Sequence, residues 1–261
     1  MPFPASDRVI YGKNPLVAVT FVARFSRLLE VDTELPTQFQ KKILADYPLL
    51  EERDLMRFTL AQNAADAVAS PERAKVYDFL SADKSWKTSL ASDNIALTVS
   101  PRYENWETFR DRLKALLKHF LDVYSGVFVT RIGLRYQNLI VREKLALDGV
   151  AWANLFKAHF AGELGDAAFS EDDYLLRQCF LRLRLENGDT AQLTHGTVLS
   201  EDTKTNAYRL DGDYYNETHA KAEVDGIIET ATRLNANSGK AFRWAISERL
   251  HVAMEPSSAH V

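Results

Sequence analysis

Cysteine is almost missing from this chain. Cys179 is the one cysteine among 261 residues, so no disulfide can close within the chain and no multi-cysteine zinc site can be built. It lies in the apolar run LLRQCFLRLRL, where a buried, inert thiol is expected rather than a nucleophile. Long apolar runs are missing too: no stretch approaches the roughly 18 to 20 residues that cross a bilayer as a helix. The opening MPFPASDRVIY lacks the basic-then-apolar pattern of an export signal, so the expectation is a cytoplasmic protein with no membrane partner. Excess charge of one sign is also absent. A mildly negative formal charge of -4 argues against a surface that grips nucleic acid as a whole, which ranks nucleic acid low among partners but leaves room for a local basic patch.

The common catalytic signatures do not occur. There is no GxSxG, no GxxxxGK[ST], no GxGxxG and no HExxH. Asn237-Ser238-Gly239-Lys240 contains Gly-Lys without the spacing that wraps a phosphate, and is read as an interruption or cap of a helix. The histidines at 119, 159, 195, 219, 251 and 260 form no compact ligand pair. Neither a cofactor nor a metal is therefore expected.

Against these absences stands an ordinary globular composition. Hydrophobic residues make up 46% of the chain and charged residues 26%, which excludes a disordered protein and allows a sizeable core. The clearest pattern runs from Trp106 to Ile140. Trp106, Phe109, Leu113, Leu116, Leu117, Phe120 and Tyr124 recur at helical spacing, with Asn105 or Thr108 as the cap. Ser125-Gly126 ends that helix, and VFVTRIGLRY follows as a strand rich in β-branched and aromatic residues.

Before it come the strand LVAVTFVARF, the helix PTQFQKKILADYP, a short strand LMRFTLAQ, a loop or frayed helix NAADAVASPE, and strands within VYDFLSADKSWKTSL and NIALTVS. After it come a helix at 150–160, two strands around the hairpin signal Asn187-Gly188, a strand near NAYRLDGDYY, and a largely helical remainder. Gly226 and residues 235–239 are expected to bend or break that remainder. The fold class is α+β: an extensive antiparallel sheet with long helices packed mainly on one face. Its halves, 1–143 and 144–261, are either two related units or one continuous domain.

Four arginines mark a candidate ligand face. Arg131 and Arg135 share one side of their strand, with Gly133 between them leaving room for a ligand or an overlying backbone. Arg182 and Arg184 share a side of another strand. Guanidiniums on a curved sheet suit phosphate or carboxylate, although a solvated face or ion pairing within the sheet gives the same alternation. Asp211 and Asp213, with Glu217 nearby, form a small acidic group that lacks a calcium-loop pattern. His195, expected where a strand ends or bulges, is a candidate general base. Tyr77, Phe79, Trp86, Tyr103 and Trp106 either line a groove or fill the core.

YGKNPLVAVTFVARF, FQKKILADYP, SWKTSLASDNIALTVSPRYENWETF and TRIGLRYQNLI together resemble a sporadically distributed prokaryotic protein family of uncharacterised function. The resemblance covers most of residues 11–140 and continues more weakly to the helix containing Phe242 and Trp244. It implies a unit of about this length and carries no catalytic residues to transfer. The patchy distribution resembles that of accessory genes in mobile or defence-related neighbourhoods.

Three functions remain in play. The first is a non-enzymatic interaction or accessory protein that binds a protein or a small anion through Arg131 and Arg135, with Arg182 and Arg184 secondary. The second is a metal-dependent hydrolase or nucleic-acid-processing enzyme using His195, Asp211 and Asp213 between the halves. The third is an oligomerisation module that self-associates through an exposed strand or the C-terminal helix.

Overall fold

A computed structural model describes residues 3–59, 70–166, 168, 170, 177–200 and 205–258. In chain order the elements are β1 (Val9–Tyr11), β2 (Leu16–Phe25), α1 (Leu29–Thr33), α2 (Thr37–Ile43), β3 (Leu49–Thr59) and β4 (Ser70–Leu80). Then follow β5 (Trp86–Ala91), β6 (Asn94–Val99), α3 (Trp106–Val123), β7 (Phe128–Ile140) and α4 (Ala158–Ala161). The remainder comprises β8 (Gln178–Arg184), β9 (Asp189–Leu199), β10 (Asn206–Asn216), β11 (Ala220–Lys221), α5 (Val224–Ala245), α6 (Glu248–Ala253) and β12 (Pro256–Ser258).

Ten strands form one antiparallel sheet in the order β3-β4-β5-β6-β2-β7-β10-β9-β8, with β11 added to β7. The pair β2–β7 sits at the centre, with β6 and β10 flanking it. The architecture is α+β. A second, two-stranded ribbon joins the chain's early and late segments, with Val9 opposite Ser258 and Tyr11 opposite Pro256.

Alternation along the central strands decides what covers them. Val19, Phe21, Ala23 and Phe25 of β2 and Ile132, Leu134 and Tyr136 of β7 are buried in one cluster with the apolar stripe of α3 and with Ile227, Ala231 and Leu234 of α5. Each Val, Leu, Ile or Phe among them contributes about 1.5–3 kcal/mol when fully buried. Asn105 caps α3 by accepting the Thr108 N–H at 2.9 Å. The opposite face of the sheet carries Thr20, Arg24, Arg131, Arg135, Asp211 and Asp213, as the pairing register requires.

The hairpin between β8 and β9 turns where Asn-Gly predicts it. Asn187 (φ 56) and Gly188 (φ 74) both occupy the left-handed region that the tight mirror-image turns demand. A second cluster gathers Trp152, Phe156, Phe160, Tyr208, Ile246, Leu250 and Met254 at one end of the sheet.

Three expectations need correction. Only α3 and α5, of 18 and 22 residues, are long helices among the described residues; the rest span seven residues or fewer. The helix expected at 150–160 is a 3-10 turn at Trp152–Asn154 followed by α4. Its backbone is committed elsewhere: Lys157 N donates to Ala245 O at 3.0 Å and Ser247 N donates to Leu155 O at 2.9 Å. Conversely, α5 runs unbroken through residues 235–239, and the break comes at Ile246, where Ser247 caps α6 by accepting the Leu250 N–H at 3.3 Å. The loop or frayed helix expected at 63–72 lies largely outside the described residues.

Candidate functional site

The candidate arginines and acids turn out to be each other's partners. Arg131 Nη2 donates to Asp213 Oδ2 at 2.7 Å, and Arg135 Nε donates to Asp211 Oδ1 at 2.7 Å. The register puts Arg135 directly opposite Asp213, so both guanidiniums reach diagonally along β10. Arg131 also lies over the Tyr215 ring, 4.2 Å from its centroid. A Cβ on Gly133 would stand 2.5 Å from Arg131 Nη1, so the space beside this glycine holds the chain's own guanidinium.

Gly133→Ala is expected to swing Arg131 outward and destabilise the protein by about 1–2 kcal/mol through the lost ion pair and ring contact. Urea unfolding measures it. In an Arg131→Ala background the same change should have little further effect; an undiminished effect there would place its cause in the backbone. Arg182 and Arg184 are exposed on β8, with Arg182 5.8 Å from the same Tyr215 ring.

His195 does not join the acids. It lies within β9 rather than at a bulge, and it pairs opposite Leu210, while Asp211 pairs opposite Thr194. Alternation therefore sends His195 to the helix-covered face and Asp211 and Asp213 to the other. His195 is 3% exposed, its Nδ1 is 2.7 Å from the Tyr208 hydroxyl, and its ring stacks on Phe160 at 3.7 Å. Burial, and then the Arg177 guanidinium, push it down to about 4. It is a neutral core histidine at pH 7. Among the described residues, no group of three or more His, Cys, Asp or Glu side chains is placed to hold a metal.

A different place collects the features of a site. Between β1, the start of α3, the second half of α5 and the strands β7 and β10 lies a cavity of ≈ 270 Å³. Tyr136, Leu210 and Tyr214 contribute from the sheet. Gly212 is needed beneath them, because an added Cβ would fall 2.8 Å from the Tyr214 ring that crosses it. Residues 6–11 run along one side of the cavity like a strap. Arg8 grips Glu107 of α3 through two hydrogen bonds of 2.6 and 2.5 Å, and the Tyr11 hydroxyl meets His251 Nδ1 at 2.9 Å.

Helix α5 supplies Asn235, Ala236, Ser238, Gly239 and Lys240, the stretch whose composition argues for a break. Glycine costs a helix about 1 kcal/mol relative to alanine, and Asn and Ser are indifferent formers. The helix survives because Leu234, Ala241 and Ala245 are buried and because Tyr136 Oη donates to Asn235 Oδ1 at 2.7 Å. What those residues give in return is room and hydrogen-bonding capacity beside the cavity.

The polar groups of the wall include the charged Asp7, Arg8, Glu104, Lys240 and Arg243 beside neutral carboxamides, hydroxyls and phenols. Asn138, 7% exposed, donates from Nδ2 to Leu210 O at 3.2 Å. Ser238 Oγ donates to Asn235 O at 2.8 Å. Burial pushes Tyr11 and Tyr103 up to about 12 and raises Tyr136 and Tyr214 as well, so these four phenols stay protonated near neutral pH. Trp106 Nε1 and Arg243 Nη1, on two residues of this wall, are buried donors with no acceptor among the described residues. A buried donor left unpaired costs about 1–3 kcal/mol.

Of the aromatic groove candidates, Tyr103 and Trp106 reach the cavity, while Tyr77 and Phe79 belong to the core and Trp86 packs on Phe109. The α5 contribution went unseen in the sequence. The signal available for it was the contradiction between the long helical periodicity around it and the Asn-Ala-Asn-Ser-Gly inside it. No protein-family model and no curated protein matches the chain.

Proposed function

We propose that this protein is a non-enzymatic recognition protein that takes a small molecule into the cavity under the strap. The observation that carries this reading is the uninterrupted passage of α5 through Asn235–Gly239, with four of those five residues turned to cavity lining. Residues that contradict local propensity are expected at functional sites, where fold stability has been traded for chemistry. A concave, mainly apolar cleft with polar groups converging on it is the usual form of a small-molecule site, and this half-open cavity, with aromatic and aliphatic side chains beside several carboxamides, has that form. The phenols of the wall are shifted away from neutrality rather than toward it, which favours binding over acid–base catalysis. The arginine face is a weaker candidate, since Arg131 and Arg135 already hold carboxylates of the same chain.

Gly239→Trp tests the reading. A Cβ at Gly239 meets nothing within 4 Å, so the backbone accepts a side chain at this position of the cavity lining, and an indole there is expected to crowd the site. The variant should fold with unchanged or slightly raised stability, because glycine is the poorer helix residue. After equilibrium dialysis against a small-molecule extract, native mass spectrometry should find a retained compound on the wild type and none on the variant. Equal retention by both proteins, or none by either, would overturn the proposal.

A further inference from the structure

Resting on that cavity reading, we infer that the ligand is a small, uncharged heteroaromatic molecule of one or two rings with a donor and an acceptor on its edge, the chemistry of a nucleobase or nucleoside. Size sets the first limit. At ≈ 270 Å³ the cavity lies just under the 300–1,000 Å³ range common for ligand pockets, so it suits a base with a pentose-sized substituent and not a dinucleotide or a lipid.

The walls set the second. Two edge-to-face aromatic pairs border the cavity: Tyr103–Tyr136, with centroids 6.1 Å apart at 85°, and Tyr11–Phe242, 5.8 Å apart at 68°. Trp106 and Tyr214 add two further rings. A planar π-system gains offset-stacked and edge contacts from such rings that an acyl chain cannot match.

The carboxamides set the third. Asn138 uses Nδ2 on the Leu210 carbonyl and so brings Oδ1 to the wall as an acceptor. Asn235 uses Oδ1 on the Tyr136 hydroxyl and so brings Nδ2 as a donor. One acceptor from β7 and one donor from α5, both in the lining of the same cavity, suit a ligand edge that carries a donor and an acceptor, as a base edge does. Charge is the last constraint. Arg8 of the strap is held by Glu107, and the remaining cations of the lining, Lys240 and Arg243 of α5, are matched in number by Asp7 and Glu104, which favours a ligand without net charge.

The test is a calorimetric titration of the wild-type chain with adenine, guanine, cytosine and uracil, and with their nucleosides, in separate runs. Adenosine 5′-monophosphate, octanoate and tetramethylammonium serve as contrasting probes. At least one base or nucleoside should saturate the protein at one site. Its affinity should fall at least tenfold in Asn235→Ala, be lost in Gly239→Trp, and drop for the monophosphate. Circular dichroism melts confirm that both variants are folded, and Asn138→Ala provides an independent removal of the second carboxamide.

If octanoate or tetramethylammonium saturates the site and no base does, the ligand class is wrong while the cavity reading stands. The ligand class is equally wrong if bases bind with undiminished affinity to both asparagine variants, or if no probe binds while the wild type alone retains a compound from the extract. If Gly239→Trp leaves every interaction unchanged, the site itself has been misplaced and both proposals fall.

Discussion

Replacing Arg177 with leucine is expected to lower the stability of this protein by about 1–3 kcal/mol, the cost of leaving buried polar groups without their hydrogen-bond partner. The Arg177 side chain is 3% exposed. It donates to Glu163 Oε1 at 2.9 Å, to the Tyr208 hydroxyl at 2.7 Å and to Ala161 O at 2.9 Å. Leucine leaves the Ala161 carbonyl without this donor and takes a partner from Tyr208, which burial has already pushed up to about 12. Its backbone is equally confined, since a Cβ on Gly196 would fall 1.9 Å from Arg177 O. Urea denaturation should show the loss as a lower midpoint with an unchanged slope.

The same network gives the protein an acid-sensitive core. His195 titrates near 4 when folded, against the ordinary histidine value of 6.5, so the unfolded chain binds the extra proton in the window between them. Stability is therefore complete above about pH 6.5 and is lost as pH falls toward 4, by roughly 2 kcal/mol after allowance for screening. His195→Gln should be less sensitive in that window. An unchanged pH profile in that variant would assign the acid sensitivity to other groups.

The second large effect is expected at Asp189. This carboxylate is fully buried, accepts from Arg233 Nε at 2.7 Å and Nη2 at 2.9 Å, and accepts from Asn216 Nδ2 at 2.8 Å. It ties the β8–β9 hairpin and the end of β10 to α5. Asp189→Ala should cost about 3–5 kcal/mol, because it strands a half-buried guanidinium and frees the helix that forms one cavity wall. Arg233→Met should cost a similar amount by leaving the carboxylate buried and unpaired. The double variant should lose clearly less than the two single losses added together, the mark of residues acting as one pair. Strict additivity would show that each acts through separate contacts. Ligand affinity, if the cavity is the site, should weaken in the same variants at temperatures where they remain folded.

Much of the architecture was legible in the chain because its signals are local. The stripe from Trp106 to Tyr124, the alternation in β2 and β7, the Asn105 cap and the Asn187-Gly188 hairpin each depend on a few neighbouring residues, and each appears where expected. Strand alternation likewise placed Arg131 and Arg135 on one face. Their partners were not legible, because the register of β10 against β7 decides which carboxylate a guanidinium can reach.

The helix at 150–160 failed for a related reason: its backbone groups found partners in Ala245 and Ser247, far along the chain. The cavity lay furthest from sequence reading. Its wall joins the strap at 6–11, Tyr103 and Trp106, Tyr136 and Asn138, and Asn235 to Arg243, segments that share no local pattern. Sequence by itself determined α3, the central strands β2 and β7 and the β8–β9 hairpin, since short-range sterics and hydrophobic periodicity suffice for those. Tertiary structure alone decided that an apparently helix-breaking Asn-Ala-Asn-Ser-Gly would continue as helix and border a cavity, because only packing against Tyr136 and the sheet could overcome its low propensity.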